Sequence, residues 1–319
     1  MTLPRSHARR PTLLIVGCGD VGMRVLRLLH PRWRVLALTS TPQRLDELRR
    51  AGAIPVIGNL DDGASLAALH RCVRVADAVL HLAPPPGQGS TDPRTSLLLR
   101  ALSRAGHARR LVYGSTSGVY GDCAGALVNE AHAVAPATPR AQRRVDAEAR
   151  VRHWGRLTGA VASVLRIPGI YSTDRPGGDP RERVRRSTPV LQPAEDVYTN
   201  HIHADDLARA CVAALLRGAP QRVYHVSDNT ELKMGDYFDL VADLFGMPRP
   251  PRISRAEAAV QLPAMALSFM GESRRLDNRR LQRELRVVLH HPTVKEGLQK
   301  AQAAPEQALP GSLFALGGP

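Results

Sequence analysis

The segment Gly17-Cys18-Gly19-Asp20-Val21-Gly22 constrains this chain most, because it follows the apolar run TLLIV and opens an amphipathic stretch. A Gly-x-Gly-x-x-Gly spacing carries meaning in that strand–turn–helix context, although an ordinary glycine-rich βα turn can share it. Gly17 allows the tight turn, Gly19 lets a backbone approach a pyrophosphate, and Gly22 permits close helix–strand packing. The free N–H groups at the start of the helix, from Asp20 and Val21 onward, would hold the phosphates, with the Asp20 carboxylate facing away. A nicotinamide dinucleotide is therefore the expected ligand.

The next strand decides which dinucleotide is favoured. NAD sites place an acidic residue at its end to bind the ribose 2′-hydroxyl. This chain has Leu38-Thr39-Ser40-Thr41 there, with no acid before Asp46. Arg44 could meet a 2′-phosphate, the alternative being a solvated helix residue. Thr39, Ser40 and Arg44 thus favour NADP(H) over NAD(H).

Beyond the loop, short apolar runs alternate with amphipathic ones, the pattern of βαβ units. Strands are predicted at Thr12–Val16, Arg34–Leu38, Ile54–Ile57, Ala78–Leu82, Arg110–Tyr113 and Val161–Arg166. Thr41 as cap and Pro42 at the first position open the second helix, and further helices are predicted at Pro93–Ala105 and Arg143–Leu157. Residues 168–193, rich in Gly, Pro, Arg and Asp, read as a long mobile loop or lid. A helix at Asp206–Leu216, a strand at Arg222–Val226 and a helix at Gly235–Phe245 follow, then an irregular stretch from Arg249 to Gln299. The expected class is α/β, a doubly wound Rossmann sheet with a smaller C-terminal substrate lobe. Its parts are a basic disordered N-terminus (1–11) and a dinucleotide-binding domain (12–167, with 201–228 returning to it). A substrate lobe and lid (168–200 and 229–300) and a disordered tail (301–319) complete the chain.

The 319 residues carry a formal charge of +15, and of 44 basic residues only Lys233, Lys295 and Lys300 are lysine. Arginine richness of this kind can mark a nucleic-acid binder, but aromatic residues make up only 4%, which leaves few stacking platforms. Cys18, Cys72, Cys123 and Cys211 form no Cys-x-x-Cys pair, so neither a metal site nor a disulfide framework is expected. A reducing, cytoplasmic setting fits them. No apolar run approaches the ~18 residues of a membrane span, and LLIVG is too short for a signal-peptide core.

Seven segments in order carry a resemblance. They are GCGDVG, GNLDD (58–62), HLAPPPG (81–87), VYGSTSGVYGD (112–122), LRIPGIYS (165–172), IHADDLARA (202–210) and VYHVSD (223–228). Over most of residues 12–300 the chain resembles the extended short-chain dehydrogenase/reductases of the NAD-dependent epimerase/dehydratase type. The resemblance implies that Asn59 and Leu60 lie near the adenine. It places Leu82, Ala83 and Pro84 beside the ribose and nicotinamide, with Pro168 and Ile170 after the sixth strand. Such enzymes hold the reacting oxygen with a Ser/Thr hydroxyl, here Thr116, and move its proton with Tyr-x-x-x-Lys. In the matching segment Glu148 is retained, but Arg140 stands at the tyrosine position and Arg144 at the lysine position. Arginine stays protonated, so Arg140 cannot be the acid/base, whereas Arg144 could still hold ribose hydroxyls. The chain is similar in this loss, and in RRLDNRRLQRELRVVLHHPTVKEGL (274–298), to an atypical bacterial subgroup.

Tyr120, Tyr171, Tyr198, His201 and His203 are candidates for a replacement proton donor, with Tyr171 and His203 ahead because they should border the cleft. Glu130 reads as structural. Among the lid arginines (Arg175, Arg181, Arg183, Arg185, Arg186), Arg183, Arg185 and Arg186 are the expected contacts for a phosphorylated or carboxylated substrate, or else a solvated basic loop. Three functions compete: an NADP(H)-dependent oxidoreductase or epimerase-like enzyme, a dinucleotide-binding regulator or redox sensor without turnover, and a nucleic-acid binder, which the motifs disfavour. The expected partner is a small molecule, with no membrane, and the chain a monomer or homodimer.

Overall fold

The structure, a computed structural model, describes residues 9–303. The first half alternates β1 (Thr12–Val16), α1 (Asp20–Leu29), β2 (Arg34–Thr39), α2 (Leu45–Arg50), β3 (Ile54–Ile57), α3 (Leu66–Val73), β4 (Ala78–His81) and α4 (Pro93–Ala105). Then come β5 (Arg110–Thr116), the short β6 (Leu127–Val128), α5 (Pro139–Thr158), β7 (Val161–Ile167) and β8 (Gly169–Tyr171). They are followed by α6 (Pro180–Arg185), β9 (Val190–Leu191), β10 (Tyr198–Thr199), β11 (His201–His203), α7 (Ala204–Arg217) and β12 (Val223–His225). The chain continues through β13 (Leu232–Lys233), α8 (Met234–Leu244), β14 (Arg252–Ile253), α9 (Arg255–Gln261) and α10 (Ala264–Met270). It ends with β15 (Arg275–Leu276), α11 (Arg279–Arg283) and α12 (Val294–Ala303).

Seven strands form one parallel sheet in the order β12-β7-β5-β4-β1-β2-β3. The order turns back between β1 and β4, and Val16 lies in register with both Leu38 and His81. A parallel sheet is covered on both faces, which is why β1 is buried throughout. Along it Leu13 and Ile15 join one core with residues of α1 and α7, and Leu14 and Val16 join another with residues of α3, α4 and α5. Ligands in such folds bind at the strand ends where the order turns.

A third core belongs to the C-terminal half, with Tyr171, Val184, Tyr237, Phe238, Val241 and Val294 among its buried residues. The expected lid of 168–193 is built structure. Pro180 takes the first position of α6, Asp179 accepts from the Arg181 N–H (2.9 Å), and Val184, Val190 and Leu191 are buried. The stretch expected to be irregular folds into α9, α10 and α11, with a capping box at Ser254 and Glu257. Two expected boundaries also move. Arg9 pairs with Asp77 at 3.0 Å, inside the segment expected to be disordered. Helix α12 runs to Ala303, past the expected start of the tail, and residues 1–8 and 304–319 lie outside the described residues.

Candidate functional site

The glycine loop shows three different demands on three glycines. Gly17 has φ +87°, and a Cβ there would come within 2.4 Å of the Ala83 nitrogen. The loop is pressed against the end of β4, where the N–H groups of Leu82 and Ala83 donate to the Val16 carbonyl (2.8 and 2.9 Å). Gly22 packs against Cys18 Sγ at 3.2 Å and Ile15 Cγ2 at 3.4 Å, measured from its missing Cβ. Gly19, the N-cap of α1, has no atom within 4 Å of that position and makes no side-chain cap bond. The Gly19 N–H donates to the Gly17 carbonyl (2.9 Å), and the helix start that follows has no side-chain cap, which leaves its amides for an anion approaching over Gly19. Asp20 is drawn aside by Arg24 (3.2 Å) and Arg175 (3.3 Å).

At the end of β2, Thr39 Oγ1 accepts from the Thr41 N–H (3.2 Å), and Ser40 is exposed. The expected helix cap at Thr41 makes no side-chain bond. Pro42–Arg44 instead forms a 3-10 turn ahead of α2. That turn swings Arg44 back over the glycine loop, where Nη1 donates to the Cys18 carbonyl (2.5 Å) and Nε to Glu47 (2.9 Å). A shallow, closed depression is lined by Leu38, Gly58, Asn59, Leu60, Leu69 and Leu97. Arg94, which the sequence reading passed over, donates to the Pro84 carbonyl (2.8 Å) and pairs with Asp61.

The other end of the crevice is formed by β5 and α5. Thr116 ends β5 and its Oγ1 accepts from the Gly118 N–H (3.2 Å), leaving its own hydrogen free to donate. Arg144 is half-buried, and its Nη1 donates to the Gly114 carbonyl (2.6 Å) and the Tyr113 hydroxyl (3.1 Å). Arg140 is exposed on the first turn of α5, with its guanidinium 4.6 Å from the Phe269 ring centre. Thr138 caps this helix by accepting from Ala141 N–H, with Pro139 at the first position, so α5 starts earlier than the expected Arg143.

Further along α5, Glu148 joins a buried polar network. Glu148 pairs with Arg166 at 2.7 Å, each side chain 5% exposed, and accepts from Ser115 Oγ (2.5 Å). Arg166 also donates to the Tyr120 hydroxyl (2.5 Å). His225 Nδ1 faces the Asp277 carbonyl at 2.9 Å and must donate there, so its Nε2 accepts the Tyr120 proton at 2.5 Å. Burial pushes Tyr120 up to about 12, and its hydroxyl is committed to this network.

The leading replacement donors do not reach the crevice. Tyr171 points into the C-terminal core, its hydroxyl donating to Thr293 O (3.4 Å) beside Gly297, and burial drives its pKa upward. The expectation that Tyr171 borders the cleft is corrected by that direction. His203 caps α7 by accepting from the Asp205 N–H (3.2 Å) and stacks on His291 at 3.7 Å. Burial lowers it to about 4. His201 is buried, stacked on Tyr237 at 4.0 Å and lowered to about 3. Pro168 precedes β8 and Ile170 lies at its centre, in register with Ile202. The three expected substrate arginines do not converge. Arg183 lies over the Phe238 ring (4.6 Å) and donates to Pro189 O, whereas Arg185 and Arg186 are exposed.

Comparison with known proteins places this architecture. The NAD dependent epimerase/dehydratase family model matches residues 13–227. The chain belongs to that family. A conserved protein of unknown function from Silicibacter pomeroyi is 30% identical, with TM-score 0.78, covering 92% of this chain and 98% of that one. The dTDP-glucose 4,6-dehydratase of Bacillus anthracis, solved with NAD, is 15% identical with TM-score 0.73, covering 91% and 94%. In sequence, 175 residues are 25% identical to a trifunctional Arabidopsis thaliana protein. It is a UDP-glucose 4,6-dehydratase, UDP-4-keto-6-deoxy-D-glucose 3,5-epimerase and UDP-4-keto-L-rhamnose reductase. That match takes in 51% of this chain and 26% of the plant protein, so the chain spans about a quarter of that relative's length.

As an epimerase/dehydratase family member the chain keeps the features a nicotinamide dinucleotide requires. The Gly19 opening and the Gly17–Ala83 contact fit such a ligand. No helix among the described residues is long and apolar enough to cross a membrane. Arg24 was also missed by the sequence reading. Only 7% exposed, it binds Asp20, Asp174 and Asp205 and so ties α1 to α7 and to the segment after β8. The Asp20–Arg24 spacing on one helix face was the available signal.

Proposed function

We propose that the chain is an NADP(H)-dependent oxidoreductase or epimerase-like enzyme acting on a sugar nucleotide or another phosphorylated carbonyl or alcohol. The observation that carries this reading is the open Gly19 face at the start of α1, set where the strand order turns back. Gly17, Gly19, Val21 and Gly22 would hold the pyrophosphate, with the Asp20 backbone among them. Thr39, Ser40 and Arg44 would meet the adenosine 2′-phosphate. Asn59 and Leu60 would line the adenine, while Leu82, Ala83, Pro84, Pro168 and Ile170 would border the nicotinamide. The bound nicotinamide supplies hydride acceptance or donation. Thr116 would donate a hydrogen bond to the reacting oxygen, and Arg144 would fix the ribose hydroxyls while holding Gly114 O. Arg140 contributes charge without a transferable proton, so solvent is the proton source. Residues 168–200 and 229–300 would supply the substrate side, a role that rests for Arg183, Arg185 and Arg186 on rearrangement toward a ligand. Four free cysteines are in keeping with a reducing, cytoplasmic location, and a monomer or homodimer suffices for this site.

Fluorescence titration with NADPH, followed by a turnover screen with sugar nucleotides, tests the reading. Saturable binding with NADP(H)-linked turnover is expected, and absence of NADPH binding overturns it. The second reading, a dinucleotide-binding regulator, is favoured by the commitment of Tyr120 to His225 and of His203 to α7. It predicts saturable binding with no turnover on any substrate.

A further inference from the structure

We propose that Glu272 is a catalytic residue of this cleft, the group that takes the proton of the substrate hydroxyl held at Thr116. The proposal rests on the enzymatic reading above. Gly118 carries no side chain, and the space its Cβ would enter is bounded by Thr116 Oγ1 at 3.7 Å and Glu272 Oε2 at 3.9 Å, measured from that position. A hydroxyl that can donate and a carboxylate that can accept therefore face one gap from two sides.

The carboxylate reaches the turn from the C-terminal half of the chain. Glu272 follows α10, whose Phe269 lies against the Arg140 guanidinium (4.6 Å), so the element that meets Arg140 also delivers Glu272. The residues after it are stitched to the segment that follows Tyr120. Ser273 N–H donates to Asp122 (2.8 Å), and the Ser273 carbonyl accepts from the N–H groups of Cys123 and Gly125 (3.0 Å each). β15 then pairs with β6. A group so anchored is held at a fixed place relative to Thr116, as proton transfer requires.

The Glu272 side chain is 12% exposed, and Arg274 Nη1 donates to its Oε2 (2.9 Å) and to the Gly121 carbonyl (2.7 Å). That bond orients the carboxylate and offsets the cost of burying its charge. Oε1 makes no hydrogen bond among the described residues and is free to accept one. A carboxylate accepts and releases a proton, which Arg140 cannot. In the oxidation direction the substrate O–H bond breaks and its proton goes to a Glu272 oxygen. The electron pair left behind closes the C=O bond as the carbinol hydride leaves for the oxidised nicotinamide. Glu272 then returns the proton to solvent, and in reduction it carries a solvent proton the other way.

The test uses the full chain with the sugar nucleotide that turns over. Glu272→Gln should lose about a hundredfold in kcat, a modest share for a proton-transfer group, while NADPH affinity and urea midpoint stay close to the wild type. Glu272→Ala should show the same loss and regain turnover when formate is added, and it decides the matter if Glu272→Gln fails to fold. Apart from turnover, the carboxyl carbon-13 signal missing from Glu272→Gln should shift when that sugar nucleotide binds the wild type. Glu231→Gln, in the neighbouring pair with Arg275, should turn over as the wild type does. Wild-type turnover by either folded variant, or an unshifted carboxyl signal, overturns the proposal and leaves the enzymatic reading standing. A loss that formate does not restore gives Glu272 a structural role and also overturns it. No turnover by the wild type on any sugar nucleotide removes both.

Discussion

At the glycine-loop end of the crevice the chain meets its requirements with backbone. Gly17 takes a conformation that side chains resist, Gly19 leaves its face open, and Val16 O binds the turn after β4. At the α5 end the proposed function requires side-chain chemistry, and there the resemblance puts Arg140 and Arg144 at the tyrosine and lysine positions. Arg144 donates to Gly114 O, so on the proposed reading it keeps a charge in place that cannot transfer a proton. Binding geometry and proton chemistry are thus separable within one cleft: one depends on where atoms are missing, the other on what two atoms can release.

The strongest way to break this contrast is to restore the lost chemistry. Arg140→Tyr with Arg144→Lys should raise turnover about a hundredfold, the lower range of general acid–base contributions, in an NADP(H)-linked sugar-nucleotide assay. Unchanged turnover would show that the α5 end does not limit the reaction. At the other end, Gly19→Val should weaken NADPH binding about a hundredfold, roughly 2.7 kcal/mol, with little change in urea midpoint because its Cβ meets no protein atom. Gly17→Val should lower the urea midpoint as well, since its Cβ collides with Ala83. A smaller effect separates the two dinucleotides. Arg44→Ala should cost about tenfold in NADPH affinity, near 1.4 kcal/mol, and leave NADH affinity unchanged in parallel titrations.

The gentlest probe is pH. Burial lowers His81, His201 and His225 to about 3 each, so unfolding takes up protons and stability is lost as pH falls below the histidines' usual 6.5. Asp228, raised to about 7 by burial, acts in the opposite sense. Folded Asp228 holds a proton that the unfolded chain releases, so it contributes stability below pH 7 and loses it as pH rises through 7. Three groups against one leave a net loss toward acid. Asp228→Asn removes the opposing slope and should steepen that loss, read from urea midpoints at pH 5 and 7.

Much of the nucleotide-binding half was legible because its signals are local. Pro93–Ala105 was read from the sequence with the ends it has in the structure, and the ends of the seven sheet strands fell within three residues of theirs. The 168–193 segment was not legible, because β8 and β9 pair with β11 and β14, distant in sequence and each only two or three residues long. Tyr171 was misdirected for a related reason: its environment is made by Thr293 and Gly297 of the chain's end. The Arg24 hub and the His203–His291 stack depend on distant segments meeting, and the Asp20–Arg24 spacing announces only one of Arg24's three acidic partners.

The network under α5 has an evolutionary consequence. Glu148, Arg166, Tyr120 and His225 satisfy one another in the interior, and Arg140, on the exposed first turn of the helix, stacks on Phe269 instead. Exposed positions of this kind tolerate exchange within about ±0.5 kcal/mol. A lineage can therefore trade a proton-transferring residue at position 140 for a charged one, or trade it back, without passing through a misfolded ancestor.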